Sequence, residues 1–313
     1  MSMPEVSVII NCFNGGKFLR EAIDSVYEQT YDDWEIIFWD NASTDNSAEI
    51  IKGYDERIRY YKSDKTYLLG KARNLAFKQA RGKFIAILDT DDIWLPQKLK
   101  KQIPLFVKNP ELGMIYSDSV FFDHAGDKYN MHRYNRPQRG NAFGELLVDN
   151  FVSTETMIYR RSALESMDYI FDDNFTMVMD YDLSLRVAYF FEFDYVCEPL
   201  SRWRIHPDSE SSRKRFLIVD ENLMMIDKLI KELPDIERMF GDEITIFKKS
   251  LDYQFALKKW FLGDRRGARK GLRPYLMSKK FLITYFLTAI CSYNNFESIK
   301  TRIKKLQYKA IDN

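Results

Sequence analysis

Asp89, Asp91 and Asp92 put three carboxylates into four residues, directly after the apolar run 84–88 (FIAIL) and just before Trp94 and Pro96. Carboxylates this close repel one another, and apolar flanks disfavour their ionised forms further, so a cation would relieve them. Mg²⁺ or Mn²⁺, held by one or two carboxylates and by the oxygens of a substrate diphosphate, is one chemistry that fits the pattern. A solvated acidic turn ahead of a helix is the other, because Asp favours turns and helix N-termini for local reasons. Two more acids, Asp180 and Asp182, precede Leu183, Leu185, Val187 and Ala188. A helix from Asp182 would bury those apolar residues and leave Asp180 at its exposed mouth, an N-cap first and a proton acceptor second. His124 and His132 lie in the polar stretch 123–139, where lone histidines are more commonly surface residues than ligands.

These side chains act together only if a scaffold gathers them. The run 84–88 suits a strand buried on both faces, and Pro96 fits the first turn of a helix from residue 97. Upstream, residues 5–10 read as a buried strand that ends in the loop 11–16, followed by a helix over Phe18, Leu19, Ala22, Ile23, Val26 and Tyr27. A second strand at 34–39 ends in the polar loop 40–45, and residues 43–46 offer N-caps for a helix through Ile50 and Ile51. A short strand at 57–62 and a helix over 70–80 carrying Lys71 and Arg73 complete the series. Such alternation predicts a parallel α/β sheet, whose ligands bind beyond the carboxyl ends of the strands. The loops 11–16, 40–45 and 89–92 should then line one crevice. No G-x-G-x-x-G follows the first strand and no G-x-x-x-x-G-K-[ST] occurs, which argues against a dinucleotide oxidoreductase and a P-loop enzyme.

A chain of 313 residues, 45% hydrophobic and 30% charged, builds one or two domains with a sizeable core. Cys12, Cys197 and Cys291 are far apart and in no metal-ligand spacing, so all three are expected as small buried residues in a reducing, cytoplasmic setting. The start MSMPEVSVII lacks the basic segment and long apolar core of a signal peptide. The formal charge of +1 is unevenly spread. Residues 264–313 carry 12 Lys and Arg against 3 Asp and Glu, a net of +9 that leaves −8 for the rest.

Two runs, VSVIINCFNGGKFLREAIDSVYEQTYDDWEIIFWDNASTDNSAEII and GKARNLAFKQARGKFIAILDTDDIWLP, resemble the amino-terminal half of the family-2 glycosyltransferases, inverting nucleotide-sugar enzymes of the GT-A fold. The resemblance is close over about the first hundred residues and continues with larger gaps to about Ser212. It implies a GT-A (Rossmann-like) mixed sheet with helices on both faces in residues 1–215, the nucleotide-sugar half over about 1–118 and the acceptor half over about 119–215. By position, Asn11 and Phe13 would lie against the base, Asp40 would bond base or ribose, and Arg73 would approach the diphosphate or ribose. Asp91 and Asp92 would hold ribose and a metal-bound diphosphate, with Asp89 completing the D-x-D form. Asp180 would be the general base, with Met179 where the usual acid of E-D-[YW]-D-L stands. His206, in WRIHPDSES, would complete the metal site, touch diphosphate or order its loop. Asn11-Cys12 stands where Pro-Thr is frequent, and Asn41-Ala42 where a second acid and a Gly are frequent.

The implied reaction is metal-dependent transfer of a sugar, UDP-linked by expectation, to a hydroxyl of a glycan or lipid-linked glycan in bacterial surface polysaccharide synthesis. Nucleotidyl transfer and non-catalytic nucleotide-sugar binding are the rival readings. Helical patterns over 216–233 and 244–261 predict a basic helical region, 216–313. Its run FLITYFLTAIC (281–291) is too short to span a bilayer, which needs about twenty apolar residues. It would be either a buried helix or a peripheral membrane contact, with Lys279, Lys280 and the basic cluster 300–309 toward anionic headgroups. No nucleic-acid motif accompanies the charge.

Overall fold

The computed structural model describes residues 3–133 and 136–300, so the greater part of the basic cluster 300–309 lies outside the described residues. The chain divides between Lys214 and Arg215 into two compact units.

In the first unit the strands are β1 (Val6–Cys12), β2 (Trp34–Asp40), β3 (Ile58–Lys62), β4 (Phe84–Ile87), β5 (Ile93–Trp94), β6 (Leu112–Asp123), β7 (Gly126–Asn130), β8 (Ile158–Arg160) and β9 (Glu192–Arg204). The helices are α1 (Gly16–Tyr27), α2 (Ser47–Ile51), α3 (Leu69–Phe77), α4 (Lys98–Lys108), α5 (Phe143–Val148), α6 (Arg161–Glu165), α7 (Met179–Phe190) and α8 (Glu210–Arg213). One sheet has the order β3-β2-β1-β4-β8-β6-β9-β5, with β7 paired to β6. The half β3-β2-β1-β4 is parallel, and β8 joins it antiparallel to both β4 and β6.

Apolar runs without alternation, VSVII and WEIIFW, form β1 and β2 because both faces of the sheet are covered, and all seven residues of each strand are buried. Leu19, Ala22, Ile23 and Val26 of α1 pack on one face at helical spacing, in a core with Phe38, Ala86, Trp94 and Leu99. Register brings Cys12, Asp40 and Lys62 side by side at the carboxyl ends of β1, β2 and β3.

Several expectations are corrected. β1 runs to Cys12, so Asn11 is a strand residue. Gln97 is the N-cap of α4, which leaves Pro96 outside the helix. The polar stretch 123–139 contains the turn and second strand of the β6–β7 hairpin and a 3₁₀ turn, Met131–Arg133. There the His132 side chain is buried: its Nε2 lies 3.0 Å from the Phe151 carbonyl, and its backbone N–H donates to Asp118 Oδ1. Cys12 is buried, but Cys197 is exposed on β9 and Cys291 is half-buried. Helix α7 starts at Met179 rather than Asp182, which places Asp180 and Asp182 inside its first turn, where the exposed N–H groups favour carboxylates.

The second unit contains α9 (Leu217–Glu232), α10 (Ile236–Phe261, kinked at Phe240), α11 (Arg265–Leu272) and α12 (Lys279–Ile290). The second helix thus begins eight residues ahead of the 244–261 pattern. Tyr253, Leu257, Trp260, Leu272, Phe281, Tyr293 and Phe296 form its core. No described helix is long and apolar enough to cross a membrane.

Candidate active site

Three loops leave the carboxyl ends of β1, β2 and β4, the first two hydrogen-bonded to each other and the third packed against the first. Asn14, at φ 53°, accepts the Thr44 N–H through its side chain at 2.8 Å, and its own N–H donates to Ser43 Oγ. Gly16 N–H donates to Asp45 Oδ2 at 2.9 Å. Gly15 abuts the acidic run so closely that a Cβ there would stand 2.7 Å from Thr90 Oγ1, so only glycine fits without displacing Thr90. Ala42 takes a left-handed φ of 62°, a conformation that costs a β-carbon roughly 1–2 kcal/mol. Glycine would meet no such cost at this position.

Asp40 is fully buried: Oδ1 accepts the Ser43 N–H at 2.7 Å and Oδ2 accepts the Tyr60 hydroxyl at 2.6 Å. Its carboxylate therefore braces the loop that follows it. Asn11 is buried with neither end of its amide bonded, and Phe13 is 54% exposed beside it in sequence. An unpaired buried amide is costly, so Asn11 is poised for a hydrogen-bonding ligand.

Arg73 sits on the fifth residue of α3 and is 1% exposed; Nη2 donates to Asp89 Oδ1 at 2.8 Å, while Nε and Nη1 have no partner. Helix α3 is locked in place by Asn74, whose side chain bonds both the N–H and the carbonyl of Phe171. A buried guanidinium with two idle N–H groups suits a phosphate or ribose oxygen.

Sequence patterning missed β5. Ile93 and Trp94 pair with Arg202 and Ser201, so the acidic run is followed at once by a clamp onto β9. The only signal for it is the apolar Ile-Trp-Leu between the acids and Pro96. This clamp brings Arg204 and His206 to the acids. Arg204 N–H donates to Asp92 Oδ1 at 2.9 Å, its Nε donates to the Asp91 carbonyl at 2.8 Å, and His206 Nε2 lies 2.8 Å from Asp91 Oδ2. Phe18 packs edge-on against the imidazole, 5.1 Å between ring centroids.

Burial, and then the charge of Asp89, holds the Asp91 carboxyl above the usual carboxylate range, while the His206 bond pulls the other way. Asp92 is pushed up further by complete burial and by the charge of Glu155. Glu155, which sequence patterning did not single out, is itself raised by burial. Beneath them Lys98 is fully buried, donating to Gln102 Oε1 and to the Thr156 carbonyl, both at 2.7 Å.

Asp180 is half-buried on the first turn of α7. Its Oδ2 accepts the Thr154 hydroxyl and its Oδ1 accepts the Tyr181 N–H at 2.8 Å. Thr154 opens a 3₁₀ turn, Thr154–Thr156, that is pinned from the acidic side: Trp94 Nε1 donates to the Glu155 carbonyl and Lys98 to the Thr156 carbonyl. Asp182 is turned inward on Arg186, 2.9 Å away.

The donor set fits a hard divalent cation incompletely. Among the described residues no group of three or more His, Cys, Asp or Glu is arranged to hold a metal. Asp91 and His206 supply one oxygen and one nitrogen face to face, whereas Asp92 is 3% exposed and already bonded. A cation here would take its remaining ligands from substrate oxygens, the usual arrangement for Mg²⁺ and for Mn²⁺ sites.

A mixed α/β sheet of this order, with acids and a guanidinium at the carboxyl ends of its parallel half and an imidazole brought to them from the end of β9, is the architecture of the GT-A class of glycosyltransferase. Comparison with known proteins agrees. A family model described as glycosyl transferase family 2 matches residues 7–168, just over half of the chain. The chain is 33% identical over 214 residues to an uncharacterized glycosyltransferase of Methanocaldococcus jannaschii, covering 66% of this chain and 72% of that one. It is 30% identical over 167 residues to the Escherichia coli UDP-Glc:alpha-D-GlcNAc-diphosphoundecaprenol beta-1,3-glucosyltransferase WfgD, covering 53% and 64%. In fold it is similar to S. aureus TarS 1-349 in complex with UDP-GlcNAc (TM-score 0.58, 18% identity, 85% and 89% covered). It is likewise similar to the mannosyltransferase PcManGT of Pyrobaculum calidifontis in complex with GDP-Man and Mn²⁺ (TM-score 0.64, 15% identity, 96% and 87% covered). The chain belongs to glycosyl transferase family 2 and is a glycosyltransferase.

Proposed function

We propose that this glycosyltransferase transfers a sugar with inversion from a UDP-sugar to a hydroxyl of a lipid-linked glycan, in the assembly of a bacterial surface polysaccharide. The observation that carries the reading is the contact of Asp91 with His206, 115 residues apart, beside the Arg73–Asp89 pair at the mouth of the parallel strands. UDP is favoured over GDP by the E. coli relative, named for UDP-Glc, and by the UDP-GlcNAc complex of TarS. The same relative is named for a diphosphoundecaprenol-linked acceptor, which favours a reaction on the cytoplasmic face of a membrane.

In this reading Asn11 and Phe13 receive the base, and Asp40 acts on it through the loop it braces. Arg73 uses its idle N–H groups on the diphosphate or ribose, a positive group held in place by burial and by Asp89. Asp91 and His206, with Asp92 behind them, would hold Mn²⁺ or Mg²⁺, which when bound supplies positive charge to the departing nucleoside diphosphate. Asp180 Oδ2 takes the acceptor proton as the new C–O bond forms, and Thr154 fixes which way that oxygen faces.

Purified chain is to be incubated with UDP-, GDP- and dTDP-sugars, Mn²⁺ and an undecaprenyl-diphosphate-linked GlcNAc acceptor, with release of nucleoside diphosphate followed. UDP release that needs the acceptor and vanishes in Asp180→Asn supports the reading. Release of pyrophosphate from a nucleoside triphosphate, or turnover retained by Asp180→Asn, overturns it.

A further inference from the structure

Helix α12 is reversed with respect to ordinary burial. At 100° per residue, Leu282, Phe286, Ile290 and Ile283 fall within about 100° of arc, with Lys279 among them at the N-terminal end. Ile283, Phe286 and Ile290 are 57%, 60% and 78% exposed. The opposite side, which packs inward, holds Phe281 and two threonines, Thr284 and Thr288. Thr284 Oγ1 shares a hydrogen bond with Tyr253 Oη at 2.9 Å, and Thr288 Oγ1 bonds the Tyr285 carbonyl, so the inward threonines are satisfied within the second unit. Met277, ahead of the helix, is fully exposed. A helix that hides its threonines and presents Leu, Ile and Phe outward is arranged for a partner less polar than water.

We propose that this stripe seats the chain on an anionic lipid surface, with α12 lying in the plane of the headgroups. Charge selects that occupant. Residues 264–300 carry 8 Lys and Arg against 2 Asp and Glu, and Lys279 and Lys280 stand at the head of the stripe. Lys280 lies with its Nζ 4.1 Å from the Tyr253 ring centroid, which leaves Lys279 to reach headgroup phosphates from within the apolar arc. A second copy carries the same positive excess over residues 264–300 and so offers these cations no anionic complement, whereas anionic headgroups do. Twelve residues give a helix about 18 Å long, well short of a bilayer's hydrocarbon thickness, so insertion stays at the interface.

Vesicle co-sedimentation of the full chain tests this without turnover, so a failed result leaves the sugar-transfer reading untouched. With phosphatidylcholine vesicles containing about 30% phosphatidylglycerol the wild type sediments, and with pure phosphatidylcholine it does not. Phe286→Glu combined with Ile283→Glu, with unchanged circular dichroism, lowers the bound fraction at least about tenfold, and Lys279→Glu lowers it less. Equal sedimentation of wild type and double variant overturns the proposal. So does wild-type self-association that the double variant abolishes while neither form binds vesicles, which would make a second copy the occupant. Binding that appears only when residues 301–313 are deleted also overturns it, since the chain's own end would then cover the stripe.

Discussion

The Thr154 hydroxyl donates to Asp180 Oδ2 across 26 residues of sequence, and it does so from a turn that Trp94 and Lys98 hold from the opposite side. Thr154 is therefore a positioning residue for the proposed base. Thr154→Val should lower kcat about tenfold to a hundredfold with donor affinity unchanged, and Thr154→Ser should restore most of it, because the hydroxyl and not the methyl does the orienting. Asp180→Asn should lose about 10²–10⁴-fold in turnover while still binding UDP by calorimetry. Loss of UDP affinity parallel to kcat in Thr154→Val would make its role merely structural.

Transfer should stop in excess EDTA and return with Mn²⁺. His206→Ala should raise the Mn²⁺ concentration needed for half-maximal rate by about tenfold or more, because one of two facing protein donors is gone. Full activity in EDTA, or an unchanged Mn²⁺ requirement in His206→Ala, would leave the Asp91–His206 contact as an ordinary loop tie.

Lys98 makes the stability pH-dependent in a defined window. Burial pulls its pKa down to about 7 from 10.5, so between those values the unfolded chain binds the extra proton. Stability from this group therefore rises with pH above about 7, by ~1.4 kcal/mol per pH unit, and is lost as pH falls back through the folded value. The unfolding free energy of Lys98→Met, subtracted from that of the wild type, should climb between about pH 7 and 9 in urea titrations. Parallel curves would place the ammonium in a more solvated setting than the structure gives it.

Tyr60→Phe removes one of the two donors to the fully buried Asp40 and leaves Lys62, 3.9 Å away, as the nearest cation. The expected cost is about 1–3 kcal/mol of unfolding free energy by chemical denaturation. A change below about 0.5 kcal/mol would mean that water readily replaces the phenol.

Local pattern was enough for the parallel half of this molecule. Apolar runs without alternation announced β1, β2 and β4, and polar breaks announced roughly where each gives way to a loop, because each signal lies within ten residues of what it specifies. Asn11 and Asp40, expected in those loops, belong to the carboxyl ends of β1 and β2 themselves. Resemblance supplied the roles expected of those residues. Tertiary structure decided what each side chain faces. Asp91 meets His206 only because the two-residue strand β5 pairs with β9, and a two-residue strand has no period to read. Asp40 turns inward because Tyr60 from the neighbouring strand reaches it, and Asp92 is bonded by the backbone of Arg204, 112 residues away. Outward apolar residues on α12 were equally hidden, since an uncharged run states hydrophobicity but not which side of the helix the rest of its unit will cover.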